Sequence, residues 1–181
     1  MQINKTNIEG CYEMKPEIFK DQRGFFFESF NKKRFEQLTG LKVAFVQDNQ
    51  AFSTHGVLRG LHFQKGESAQ AKLVRVIQGE VLDVVVDIRR DSPTYGNFFK
   101  TILSSENHKQ LFIPGGCAHG YVTLSNSATF FYKCDNHYNP GAESGIAYND
   151  PTLNIDWEIP DKELILSEKD RILPKFDDLL D

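Results

Sequence analysis

Short apolar runs separated by turn residues recur between residues 24 and 133 and predict a series of β-strands. The runs are rich in Val, Ile and Phe and lie at 24–30, 43–52, 57–63, 72–77, 81–88, 98–103, 110–113, 120–125 and 128–133. Gln78-Gly79-Glu80 lies between two such runs and predicts a tight hairpin, because glycine supplies the positive φ that these turns need. We therefore expect one all-β domain over residues 1–181, a double-stranded β-helix or jelly-roll barrel.

Two segments predict short peripheral helices. Residues 31–39 place Phe35 and Leu38 among charged residues, with Asn31 suited to an N-cap and Gly40 to the C-terminal end. The last segment, 174–180, predicts one more amphipathic helix. No internal repeat, low-complexity tract or linker divides the sequence.

The composition limits the classes of partner. A formal net charge of -4 argues against a general nucleic-acid or membrane-surface role, so an anionic ligand would have to bind through a few placed cations. Cys11, Cys117 and Cys134 show no CxxC spacing, which favours reduced thiols in a cytoplasmic protein. Polar residues follow Met1 and no apolar run approaches about 18 residues, so we expect neither an export signal nor a membrane span.

Arg59 and His62 are the first candidates for chemistry, because they interrupt an apolar strand. Burying either side chain costs several kcal/mol unless it is paired, so their presence predicts a polar pocket inside the barrel. A regular strand would send the two to opposite faces. We therefore expect a local irregularity at Gly60-Leu61 that turns both inward, with Leu61 packing outward or into a neighbouring sheet. Gly60→Val should then harm the site more than the fold, with little loss of thermal stability.

A second histidine, His119, follows a Pro-Gly-Gly turn with the spacing Pro-x-Gly-x-x-His, which resembles the second signature of cupin barrels. In the first cupin signature a His-x-His pair and a downstream Glu chelate a metal. Here His62-Phe63-Gln64 supplies one imidazole and a glutamine. Two histidines without a third strong ligand make a poor Zn²⁺ or Fe²⁺ site, so we expect a cupin barrel that works without metal.

Other polar residues allow two interpretations each. Lys72 or Arg75 must point into the barrel, unless the cation extends out through an open mouth. Tyr132 and Tyr138 suit core packing as well as acid catalysis. Gln47-Asp48-Asn49 suits a polar turn as well as a base or sugar edge, and Asp170 suits a helix cap or a solvated charge.

Together these motifs resemble, from end to end, the dTDP-4-dehydrorhamnose 3,5-epimerases, a dTDP-sugar epimerase family with a cupin barrel. The likeness is most specific around His62 and His119 and along 87–96; Cys117 and Tyr148 stand where larger aromatic residues are usual. The motifs that carry it lie at 23–28, 47–49, 56–62, 71–72, 87–96, 114–121, 132–133, 138, 143, 150–151 and 167–170.

The resemblance implies a reaction and roles for the residues. His62 would be the base and Asp170 its orienting carboxylate, with Tyr132 the acid on the opposite face of the sugar. Lys72 would be the cation near the 4-keto oxygen of a dTDP-4-keto-6-deoxyhexose, and Tyr138 would stack on thymine. Further contacts to the nucleotide and sugar would come from Arg23, Glu28, Gln47, Asp48, Asn49, Arg59, Lys72, His119, Glu143 and Lys169. The family also implies no cofactor, and a homodimer with exchanged N-terminal strands, so that Arg23 and Glu28 serve the neighbouring site.

Several other functions stay open at this point. The nearest alternative inverts C3 only, as in antibiotic-sugar pathways. A sugar 3,4-ketoisomerase is disfavoured by the set Arg59, His62, Lys72 and Tyr132. A non-catalytic sugar-binding cupin would have no use for a His62–Asp170 pair, and a metal-dependent oxygenase lacks ligands.

Overall fold

The computed structural model describes residues 1–180, and most of its regular structure is β-strand. The strands are β1 (Gln2–Lys5), β2 (Tyr12–Lys15), β3 (Phe19–Asp21), β4 (Gly24–Phe26), β5 (Gln47–Thr54), β6 (Leu58–Gln64), β7 (Lys72–Gln78), β8 (Glu80–Asp87), β9 (Phe98–Ser104), β10 (Gln110–Ile113), β11 (Cys117–Thr123), β12 (Ser127–Cys134) and β13 (Glu143–Gly145). The expected all-β fold is confirmed.

Two antiparallel sheets face each other and form the jelly roll. Sheet A has the order β1-β2-β10-β7-β12-β5, and sheet B the order β13-β6-β11-β8-β9. Strands β3 and β4 form a separate two-stranded hairpin. The interior between sheets A and B is therefore lined by alternate residues of the strands in both sheets.

The predicted hairpin at Gly79 is wrong. Strand β7 belongs to sheet A and β8 to sheet B, so the two strands do not pair. Gly79 instead forms the corner at which the chain passes from one sheet to the other, with φ 81°. A Cβ at Gly79 would lie 2.1 Å from the carbonyl oxygen of Ser127, so glycine is needed there for space as well as for its backbone angle.

The first predicted helix is confirmed and the second is not. Helix α1 (Lys32–Thr39) is capped by the Asn31 side chain, which accepts from the amide of Arg34, and ends at Gly40 with φ 74°. A second helix, α2 (Glu168–Arg171), lies just before the C-terminal segment. The predicted helix at 174–180 is only a 3₁₀ turn, Asp177–Leu180, so its amphipathic pattern did not give an α-helix. Three other short 3₁₀ turns lie at Gly66–Ser68, Pro140–Ala142 and Asp161–Glu163.

Apolar side chains fill the interior and cover both outer faces. The interior cluster includes Val74, Val85, Leu111, Tyr121 and Phe130. The C-terminal third of the chain covers the outer face of sheet B, where Ile146 and Trp157 pack against strand residues such as Leu61 and Val84. Phe35 of α1 packs on sheet A with Leu73 and Phe112. The three cysteines, Cys11, Cys117 and Cys134, are free thiols and all are buried.

Over residues 1–180, no helix has the length and the apolar character required to cross a membrane.

Candidate active site

One cavity of about 260 Å³ opens between the two sheets and contains most of the residues predicted to carry the chemistry. Its walls come from β5, β6 and β7, from β11 and β12, and from the segment around α2. The lining residues are Ala51, Arg59, His62, Lys72, His119, Gly120, Tyr121, Phe130, Tyr132, Ser167, Lys169 and Asp170. Seven of the predicted site residues therefore meet in one place: Arg59, His62, Lys72, His119, Tyr132, Lys169 and Asp170.

His62 and Asp170 form a hydrogen-bonded pair. His62 Nε2 lies 2.5 Å from Asp170 Oδ1, and the carboxylate is buried. Burial alone would raise the pKa of Asp170, but the hydrogen bond and charge of His62, with smaller contributions from Ser167 and Lys169, lower it. Asp170 thus stays ionised and forms its hydrogen bond with Nε2 of the His62 ring. The other ring nitrogen, Nδ1, is left to face a ligand.

Tyr132 lies across the cavity from His62. Tyr132 belongs to β12 in sheet A, whereas His62 belongs to β6 in sheet B. Burial raises the pKa of the Tyr132 phenol to about 12, so it holds its proton at neutral pH. A ligand between the sheets has a base on one side and a proton donor on the other.

Lys72 is the cation that faces the interior, and Arg75 faces outward. Lys72 begins β7 beside β12, with Nζ 6.0 Å from the centre of the Tyr132 ring. Arg75 instead lies over Phe27 and Phe131 on the outer face. Burial lowers the pKa of Lys72, and the nearby Cys134, Asp83 and Glu143 offset part of this effect. Lys72 places positive charge in a partly dry site, where it stabilises an anionic oxygen more strongly than in water.

His119 has its own carboxylate partner, Asp83, which the sequence analysis missed. His119 Nε2 lies 2.9 Å from Asp83 Oδ2, and both residues are buried. Asp83 Oδ1 has no hydrogen-bond partner within residues 1–180. His119 also pairs directly with His62 across β11 and β6. Asp83 lies within the Val-rich strand β8, and its only sequence signal is a charge on an otherwise apolar run.

The expected irregularity in β6 is confirmed. His119 and Tyr121, two residues apart on β11, pair with His62 and Arg59, which are three residues apart on β6. The extra residue on β6 lets Arg59 and His62 face the same side, and both line the cavity. The Gly60-Leu61 peptide bond within this bulge is cis, and Leu61 packs on the outer face of sheet B, as expected.

Arg59 is held by two further residues that the sequence analysis did not single out. Arg59 Nε donates to Ser53 Oγ at 3.1 Å, and the Tyr121 hydroxyl lies 3.3 Å from the same oxygen. The Tyr121 ring stacks on Phe130 with a centroid distance of 4.1 Å. These contacts fix the guanidinium at the edge of the cavity.

The rim of the cavity carries four more of the predicted binding residues: Gln47, Asn49, Tyr138 and Glu143. Lys169 Nζ lies 2.5 Å from Glu143 Oε1, and the Tyr138 hydroxyl donates to Glu143 Oε2 at 2.7 Å. Gln47 accepts from the backbone amide of Tyr138 and donates to Asn49. Gln47 and Asn49 share the strand face of the pocket residue Ala51.

Three predicted binding residues do not reach the cavity. The Asp48 carboxylate lies on the opposite face of β5 and pairs with Lys133, because strand residues alternate between faces. Arg23 lies in the β3–β4 hairpin, with an 85% exposed side chain paired to Asp21. Glu28 is exposed and accepts a hydrogen bond from Asn31.

Gln64, which replaces the second cupin imidazole, is fully engaged in hydrogen bonds. Its side-chain nitrogen donates to the backbone carbonyls of Ser68 and His137, and its oxygen accepts from the amide of Asn139. The buried amide thus ties β6 to the loop that carries Tyr138. In the described part of the chain, no three His, Cys, Asp or Glu side chains are grouped so that they could hold a metal ion.

Comparison with known proteins identifies the family of this fold and site. A family model described as dTDP-4-dehydrorhamnose 3,5-epimerase matches residues 5–178. The dTDP-4-dehydrorhamnose 3,5-epimerase of Salmonella typhimurium is 51% identical over 183 residues, which cover 99% of this chain and 98% of the relative.

Two crystal structures agree closely with the fold. That of dTDP-4-dehydrorhamnose 3,5-epimerase from Elizabethkingia anophelis has a TM-score of 0.96 at 52% identity, covering 98% of this chain and 97% of that one. A dTDP-6-deoxy-D-glucose-3,5-epimerase from Legionella pneumophila, in complex with dTDP-4-keto-L-rhamnose, has a TM-score of 0.94 at 48% identity, covering 99% of this chain and 94% of that one.

Proposed function

Because the chain belongs to the dTDP-4-dehydrorhamnose 3,5-epimerase family, we propose that it inverts C3 and C5 of dTDP-4-dehydro-6-deoxy-D-glucose to give dTDP-4-dehydro-L-rhamnose. It is an isomerase whose substrate is a nucleotide sugar, and the reaction belongs to dTDP-L-rhamnose biosynthesis. The observation that carries the proposal is the placement of His62 and Tyr132 on opposite sheets across one cavity. Inversion needs a base on one face of the sugar and an acid on the other.

The residues act in the following order. The 4-keto group acidifies the C–H bonds at C3 and C5, and His62 Nδ1 takes one of these protons while Asp170 stabilises the resulting imidazolium. The electron pair of the C–H bond moves into the C4–O enolate, whose charge Lys72 balances. Tyr132 returns a proton to the carbon from the opposite face, after which the imidazolium and the phenolate recover their starting states by exchange with water. Positioned acid and base groups of this kind typically contribute about 10²–10⁴-fold each.

The groups around the cavity fit the rest of the substrate. Arg59, His119 and Lys169 offer donors to the diphosphate and sugar, and the exposed Tyr138 offers an aromatic face to thymine. Gln47 and Asn49 lie on the same face of β5 as the cavity residue Ala51. No cofactor is required, since proton transfer alone inverts a carbon next to a ketone.

The test is proton NMR of the dTDP-4-keto sugar in D₂O. We expect deuterium at both C3 and C5 with wild-type protein, and loss of exchange at both carbons in His62→Ala with substrate binding retained. Deuterium at C3 alone would show the C3-only epimerase, and deuterium at neither carbon would show a binding protein. A His62→Ala variant that keeps a tenth of the wild-type exchange rate would remove His62 as the base.

We further propose that the protein is a homodimer in which the N-terminal strands cross to the partner. The β3–β4 hairpin leaves Phe19, Phe25 and Phe26 more than half exposed, at 56%, 57% and 70%. Burial of three aromatic rings against a second copy would favour association. The hairpin also carries Arg23, which is remote from the cavity of its own chain, and an exchange would bring Arg23 and Glu28 to the neighbouring site.

The three buried free thiols support a cytoplasmic location, because reduced cysteines persist there.

A further inference from the structure

Ser167 contacts Asp170 twice and is not accounted for by the mechanism above. The Ser167 Oγ accepts from the backbone amide of Asp170 at 3.1 Å and donates to Asp170 Oδ2 at 2.9 Å. Ser167 is the N-cap of α2 and also lines the cavity. One hydroxyl thus fixes both the backbone and the carboxylate of the residue that holds His62.

The two oxygens of Asp170 have separate partners. Oδ1 contacts His62 Nε2 at 2.5 Å, and Oδ2 accepts from the Ser167 hydroxyl. An aspartate carboxylate rotates readily about its terminal torsion, so a second hydrogen bond restrains the carboxylate plane and keeps an oxygen directed at the imidazole. Because Asp170 is 4% exposed, few other groups can supply that bond.

We propose that Ser167 is a positioning residue of the active site: its hydroxyl orients the Asp170 carboxylate, which in turn orients His62 for proton abstraction. This inference rests on the proposed role of His62 as the base. Ser167 acts through Asp170, so its loss should lower the rate of the chemical step and leave substrate affinity largely unchanged.

Two substitutions separate this role from helix capping. Glycine is nearly as good an N-cap as serine but has no hydroxyl, so Ser167→Gly removes the donor at little cost to the helix. Threonine keeps both the cap and the donor, and the exposed position of Ser167 leaves room for its methyl group. Ser125→Ala is a matched control: this turn serine, outside the cavity lining, accepts from the amide of Glu80 and donates to the carbonyl of Ser127.

We expect Ser167→Gly to lower kcat about 10- to 100-fold with little change in KM, since about 1 Å of misplacement of a catalytic group costs about 10²-fold. The acid limb of kcat/KM should move to higher pH, because a carboxylate that has lost its donor attracts the imidazolium proton more strongly. Ser167→Thr should restore both properties, and Ser125→Ala should change neither. A merely structural serine would lower stability without moving the pH profile.

The ¹⁵N NMR signals of the His62 ring, assigned by comparison with His62→Ala, provide a readout that does not depend on activity. We expect them to shift in Ser167→Gly and to return in Ser167→Thr. Unchanged ring signals in Ser167→Gly would overturn the positioning role. Shifted signals with a wild-type exchange rate would support that role and overturn His62 as the base, so the two proposals fail in different ways.

Discussion

The reactive side chains in the cavity obtain their protonation states from their surroundings. Tyr132 keeps its proton because burial raises its pKa to about 12, and Asp170 keeps its charge because His62 and Ser167 outweigh the effect of burial. Lys72 is different, since burial lowers its pKa and so makes its positive charge easier to lose. In the proposed mechanism the enolate needs that charge, so the rate should fall when Lys72 loses its proton at alkaline pH.

We predict that the alkaline limb of kcat/KM is set by Lys72. As pH rises, an ammonium whose pKa is lowered loses its proton before an ordinary lysine does, and the rate should fall with it. Lys72→Arg keeps the charge, so the limb should move to higher pH even if the plateau rate drops because a guanidinium differs in shape. The measurement is the pH profile of kcat/KM for both proteins.

Tyr132 is another group in the cavity that could lose a proton at alkaline pH. Its phenol remains protonated to higher pH, with a pKa of about 12, so it does not account for a limb below that value. An alkaline limb at the same pH in Lys72→Arg and wild type would show that another group controls it.

At the scale of elements, the site depends on how closely β6 and β11 approach. A Cβ at Gly60 would lie 2.5 Å from Gly120 Cα and 2.7 Å from the carbonyl oxygen of His119, and Gly60 has φ 121°. This close approach argues against the expectation that substitution at Gly60 would spare the fold. Any side chain there forces β6 and β11 apart.

We predict that Gly60→Ala lowers both turnover and stability. Backbone strain at positive φ costs about 1–3 kcal/mol and overpacking costs about 1–3 kcal/mol more. Gly40→Ala is the control, because Gly40 also has positive φ, at 74°, but its added Cβ would meet no atom of the described residues within 4 Å. Thermal unfolding of the two variants should show a larger loss at Gly60, and equal losses would show that the close approach is not costly.

Most strands could be predicted because their apolar runs are long, as in β8 and β12. The sequence did not predict β1, β2, β3 and β13, because each is only three or four residues long and contains polar residues. Gly79 marks a turn in the sequence, but whether that turn makes a hairpin or a corner between sheets depends on distant partners. The sequence likewise could not show that Asp83 meets His119, because contacts between strands are set by register.

At the scale of the whole molecule, the proposed strand exchange would make each site depend on two chains. We predict that Arg23→Ala and His62→Ala proteins, each nearly inactive alone, regain activity when co-expressed. In a mixed dimer, the site that keeps His62 would receive an intact Arg23 from the other chain. The measurement is the turnover of mixed dimers, isolated with two different affinity tags.

The control is the double variant Arg23→Ala/His62→Ala co-expressed with wild type. There the site with His62 would receive the altered Arg23 and the other site would lack its base, so mixed dimers should be nearly inactive. About half of the wild-type activity in those dimers, from the one site that keeps its own His62 and Arg23, with none in the first mixture, would show that Arg23 serves its own chain.

Chemical modification of the three buried thiols would report how the folded protein opens. Burial raises the pKa of Cys11 and Cys117 to about 12, and it also raises that of Cys134. Alkylating reagents attack thiolates, so the folded chain offers them almost no target at neutral pH. Cys134 pairs with Lys72 across β12 and β7, next to the catalytic cavity, whereas Cys11 and Cys117 belong to the interior cluster. The order in which the three sulfurs become modified would therefore report whether the barrel comes apart first at its catalytic end or in its core.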